Sequence, residues 1–127
     1  ITESRFIRTA VEVEIVRRAC ALYKPAFDAA FLANLAQQKA AVETGDSESL
    51  NQLDYEFHRL VCQVAECEFA FKTIAENKLS VDRLCTLSLA DKAGQEEIYE
   101  DHRQTFDRLR AGDEQGCVES TRMHLSR

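Results

Sequence analysis

Leu50-Asn51-Gln52-Leu53-Asp54-Tyr55-Glu56-Phe57-His58-Arg59-Leu60-Val61-Cys62-Gln63-Val64 is the stretch that decides the fold. Leu50, Leu53, Phe57, Leu60 or Val61, and Val64 recur at intervals of three and four, the apolar stripe of an amphipathic helix. Asp54 and His58 stand four apart, so their side chains lie one turn apart on one side of it. They border the stripe instead of opposing it. A carboxylate and an imidazole at the edge of a core need partners, because burying either unpaired is costly. A divalent metal is one such partner. A hydrogen bond between the two is the other.

The sequence on either side reads as helix as well. One Pro and four Gly in 127 residues leave little punctuation, which favours long helices over many short strands. From about Thr2 to Tyr23, Ile7, Val11, Ile15, Ala19 and Leu22 form a helical stripe. Pro25 breaks it and opens a second helix with Phe27, Phe31, Leu35 and Val42 on one face. Gly45 ends that helix, and Asp46 is a good N-cap for the stretch quoted above. A fourth helix is expected from about Phe69 to Leu89, with Phe71, Ile74, Val81 and Leu84 inward. Ala90-Asp91-Lys92-Ala93-Gly94 reads as a loop. A fifth helix then runs from about Gln95 to Arg110, with Ile98, His102, Phe106 and Leu109 on one stripe. Ala111-Gly112-Asp113 is a turn, and Asp113 can cap a last helix whose inner face holds Cys117, Ser120 or Thr121, and His124. The sequence predicts an all-α antiparallel bundle of about six helices.

Composition narrows the function. No apolar run approaches the ~20 residues a membrane span needs, and no stretch reads as a signal peptide. Cys20, Cys62, Cys67, Cys85 and Cys117 are odd in number and contain no C-x-x-C pair, which reads as reduced core thiols in a cytoplasmic protein. A net charge of −6 without a basic stripe makes this segment a poor nucleic-acid binder by itself. The chain opens on Ile1 and is expected to be part of something longer.

His58, His102 and His124 are the only histidines, and each sits on or beside an apolar stripe. His102 lies ten residues before Gly112 and His124 twelve after it. At ~1.5 Å per residue, both stand roughly 15–18 Å from that turn. If the last two helices form an antiparallel hairpin, the two imidazoles are level. With Asp54 and His58 the set is one carboxylate and three imidazoles, which suits Zn²⁺, Mn²⁺, Ni²⁺ or Fe²⁺ without choosing among them. Hydrogen-bonded core histidines are the alternative that spacing leaves open. A di-iron bundle with two Glu-x-x-His motifs does not fit, because Tyr55, Tyr99 and Thr121 stand three before the histidines.

The ordered combination of Asp54-x-x-x-His58 with Phe57 before the His, then Asp101-His102, then His124, resembles the C-terminal effector (FCD) domain of FadR-type GntR-family transcription regulators. Arg8-Thr9-Ala10-Val11-Glu12 is similar to the family's Arg-x-x-hydrophobic-Glu, and Gly112-Asp113 followed by Arg122-Met123-His124-Leu125 to its closing segment. The short first part and about six helices look more like the VanR-type subgroup. The resemblance covers the whole chain and implies an effector-binding and dimerisation domain enclosing a metal and effector pocket. It implies a divalent metal on Asp54, His58, His102 and His124, a small organic acid on or near it, and a homodimer. DNA contact is then expected of an N-terminal winged helix-turn-helix domain outside this chain. Two departures stand out. The family often has Gly-Asn after the third helix, where this chain has Glu66-Cys67-Glu68, and Cys117 replaces a usual Ala.

A second cation would orient the acid. Arg8 and Arg83 sit beside apolar positions, and guanidinium suits bidentate carboxylate binding. Ser80, one turn before Arg83, could reach a hydroxyl. Glu12, Glu14, Glu96, Glu97 and Glu100 read as solvated faces or dimer-rim charges. A catalytic metal with Glu56 or Asp101 as base is a second class of function, but no nucleophile motif or phosphate loop supports an enzyme. A metal-free helical dimerisation module is the third.

Overall fold

The computed structural model describes residues 2–76 and 91–126. Its helices are α1 (Thr2–Leu22), α2 (Asp28–Thr44), α3 (Ser47–Val64), α4 (68–76 among the described residues), α5 (Lys92–Ala111) and α6 (Glu114–Ser126), with a 3₁₀ turn at Pro25–Phe27. No strand occurs among the described residues. No described helix is long and apolar enough to cross a membrane.

Local chemistry places the boundaries. Asp46 accepts from Ser49 N–H at 3.0 Å and opens α3, and Asp113 accepts from Gly116 N–H at 2.9 Å and opens α6. Gly45 and Gly112 close α2 and α5 with φ of 69°, a conformation glycine adopts without strain. After α3 the same left-handed turn falls on Glu66, at φ 57°, with Cys67 N–H returning to Cys62 O at 2.9 Å. The expected loop from Ala90 to Gly94 is shorter than read. Asp91 accepts from Ala93 N–H and starts α5 there, so Lys92, Ala93 and Gly94 are helical. A glycine in a first turn does not break a helix whose cap is already in place.

Five helices close a ring. α1 packs on α6 and α3, α3 on α2, α2 on α5, and α5 on α6. The interior holds Val16, Ala19, Phe31, Phe57, Cys62, Ile74, Phe106 and Leu109, all nearly or fully buried. Phe31 stacks on Phe106 at 5.2 Å and meets Phe57 edge-on at 5.5 Å. The cysteines Cys20, Cys62 and Cys117 are buried thiols as expected, Cys67 is half-buried, and Cys85 lies outside the described residues. Ile7 departs from its expected inward place and is 39% exposed. That turn of α1 presents Arg8 and Glu12 to the interior instead, both buried.

Candidate metal centre

Asp54, His58, His102 and His124 come together. One donor atom from each lies within 4.8 Å of all the others. Helix α3 supplies two of them one turn apart, α5 the third and α6 the fourth. His102 and His124 have ring centroids 5.0 Å apart, so the α5–α6 hairpin brings them level across Gly112. His102 also stacks on Phe57 at 4.3 Å, which fixes the plane of its ring.

The three imidazoles are held alike. Nδ1 of His58 lies 2.9 Å from Glu12 Oε1, Nδ1 of His102 lies 2.9 Å from Gln38 Oε1, and Nδ1 of His124 lies 3.2 Å from Asp101 Oδ2. The Nε2 atoms turn toward Asp54 Oδ1, at 3.1 Å from His58, 2.8 Å from His102 and 4.0 Å from His124. Neither His58 Nε2 nor His102 Nε2 has a well-aligned hydrogen-bond partner, although both are buried. Buried nitrogens that converge on one carboxylate oxygen without well-aligned hydrogen bonds suit an ion-binding donor set. The residues therefore fit a divalent metal. An acceptor on one ring nitrogen and a lone pair on the other is the usual state of a metal-ligating histidine.

Burial and neighbouring charge pull the groups around the donors in different directions. Burial raises the carboxyl of Glu12, but the His58 and Arg8 charges beside it prevail and bring it down to about 2. Burial lowers His58, but Glu12 and Asp54 outweigh it and lift the imidazole to about 9. His102 keeps the effect of its burial, only partly offset by Asp54 and reinforced by His124 and His58, and falls to about 4. With the imidazoles neutral, as ligands to an ion are, Asp54, Glu12 and Asp101 against Arg8 leave two negative charges among the described residues, which a dication would balance.

Arg8 is 7% exposed, and its Nε donates to Glu12 Oε2. Arg83 and Ser80 lie outside the described residues. A cavity of about 30 Å³ is lined by the three imidazoles together with Ile15, Val16, Val61, Cys62, Thr105 and Thr121. Glu12 is a correction. It is no solvated face but a buried anchor at 5% exposure. The sequence reading also missed Gln38. Its signal was positional, since it falls between Leu35 and Val42 at helical spacing, where an apolar residue belongs. Glu14 is exposed as read and pairs with Arg17, and Glu100 pairs with Arg103. Glu56 is exposed on α3.

Comparison with known proteins agrees with this architecture. The family described as FCD domain matches residues 3–127. The chain is 30% identical over 125 residues to the HTH-type transcriptional repressor RspR of Escherichia coli, covering 98% of this chain and 55% of that protein. The same figures hold for the uncharacterized HTH-type transcriptional regulator YdfH of Shigella flexneri. The chain thus spans about half the length of these relatives. Among solved structures, E. coli McbR/YncC superposes with a TM-score of 0.85 at 19% identity, over 98% of this chain and 63% of that one. That likeness shows the same all-α fold. On the match along nearly its whole length, the chain belongs to the FCD domain family of GntR-type transcription regulators.

Proposed function

We propose that this domain senses a small organic acid through a divalent metal held by Asp54, His58, His102 and His124, and that binding adjusts operator binding by a winged helix-turn-helix domain of the same protein. The observation that carries this reading is the orientation of the imidazoles. Each has Nδ1 against an acceptor and Nε2 toward Asp54. A bound dication would supply positive charge and open coordination positions for a carboxylate. Zn²⁺, Ni²⁺, Mn²⁺ and Fe²⁺ all suit this donor set. The cavity of about 30 Å³ suits the head of a small acid, with Thr121 as a hydrogen-bonding group. Arg8 stands one turn from Glu12 as the second cation. Pairing of two copies belongs to the same reading, and exposed Phe6 and Phe69 offer apolar surface for it.

The sensor is favoured over an enzyme by where the candidate bases lie. Glu56 is on the solvent side of α3, and Asp101 Oδ2 is committed to His124 Nδ1. Elemental analysis of untagged protein, purified without chelator, tests the proposal. About one transition metal per chain is expected, with loss in Asp54→Ala and His102→Ala. A parent protein that holds no metal after loading with Zn²⁺, Mn²⁺ and Ni²⁺ would overturn it.

A further inference from the structure

We propose that Asn34 and Gln38 on α2 are positioning residues for this centre, forming a hydrogen-bonded relay that fixes the His102 proton on Nδ1 and leaves Nε2 as a ligand. The inference rests on the metal reading above and adds what sets the tautomer. The relay is fixed from its far end. Asn34 Nδ2 lies 3.1 Å from the carbonyl oxygen of Leu53. A carbonyl oxygen only accepts, so Asn34 must turn its NH₂ toward it. Its Oδ1 then faces Gln38, and Gln38 Nε2 donates to it at 2.7 Å. That turns Gln38 Oε1 toward His102 Nδ1, 2.9 Å away. An amide oxygen only accepts, so Nδ1 must carry the proton. A neutral imidazole has a single N–H, so Nε2 keeps its lone pair toward Asp54.

Burial makes the relay binding on its members. Asn34, Gln38 and His102 are 4%, 0% and 2% exposed, so water does not stand in for a lost partner. The anchor at Leu53 is adjacent to Asp54, so one turn of α3 both supplies a ligand and terminates the relay. None of the four donors comes from α2. The relay is the contribution of that helix. It also differs from the other two anchors. Glu12 and Asp101 are carboxylates, whereas Gln38 is an uncharged acceptor whose own orientation has to be set by a further residue, Asn34.

Two measurements test this. Long-range ¹H–¹⁵N correlation spectra of the whole chain, stripped of metal by chelator, report which nitrogen of His102 is protonated, and Nδ1–H is expected. Zinc affinity by competition with a chromogenic chelator should fall about tenfold to hundredfold in Gln38→Met. An Nε2–H tautomer in the parent would overturn the proposal, as would Gln38→Met binding zinc like the parent. Should Gln38→Met fail to fold, the parent tautomer decides. A parent that binds no zinc sinks the metal reading, while its tautomer still decides the relay.

Discussion

Phe31, Phe57 and Phe106 fill one part of the interior, and Asp54, His58, His102 and His124 fill another, yet α3 and α5 supply side chains to both. Phe57 and His58 are consecutive residues. The aromatic part is held by shape. Its rings meet at 5.2 to 5.5 Å, and each makes many weak contacts whose loss is local. The polar part is held by pairing. Every imidazole there has its own acceptor: Glu12 from α1, Gln38 from α2, Asp101 from α5. Apolar residues can be exchanged for others of similar volume. A buried polar group left without its partner costs far more than the bond was worth. The same bundle therefore contains a region that specifies packing and a region that specifies atoms.

The sharpest way to separate the two is a pair of truncations. Phe106→Ala should cost about 3–5 kcal/mol in denaturant unfolding and leave zinc per folded chain at the parent level. Phe57→Ala should cost about as much and also weaken zinc binding, because the Phe57 ring backs His102 at 4.3 Å. Parental zinc affinity in folded Phe57→Ala would show that the two regions are independent, contrary to the contact between them. A smaller effect is expected at Glu12. Glu12→Gln keeps the shape but removes the charge that faces His58 and Arg8, and zinc affinity should fall about tenfold, or about 1.4 kcal/mol. Competition titration reads this directly, and an unchanged affinity would mean that the carboxylate serves packing alone. The smallest effect is placed outside both regions. Asp113→Ala removes the cap on Gly116 N–H and should cost about 1 kcal/mol, with metal content unmoved. A loss of metal in that variant would place the start of α6 inside the centre.

Legibility in the sequence divides along the same line. Apolar spacing locates a buried face, so the stripe from Leu50 to Val64, the helix stops at Gly45 and Gly112, and the caps at Asp46 and Asp113 were all readable. The histidines were found because they stand on such stripes. Two of their anchors, Glu12 and Gln38, and Asn34 behind Gln38 were not, because they are polar and hydropathy assigns polar residues to solvent. The misplacement of Ile7 has the same cause, since the stripe drawn through it placed Glu12 on the solvent side, whereas Arg8 and Glu12 take the inward positions of that turn. Glu66 is the converse case. Its composition departs from the family's Gly-Asn, but the chain turns left-handed there all the same, held by the hydrogen bond from Cys67 N–H back to Cys62 O.

The packing of α1 on α6 has a consequence for how the molecule is made. Joining the first helix to the last closes a loop of roughly a hundred residues, whose entropic cost grows with the logarithm of its length. The α2–α3 and α5–α6 neighbours close far shorter loops, so they are expected to form earlier on the folding route. Asp54 and His58 thus lie on a helix that forms early, whereas Glu12 reaches His58 only when α1 docks. On that expectation Glu12 joins the centre late, and an ion present during folding would act on the later steps of assembly more than on its nucleus.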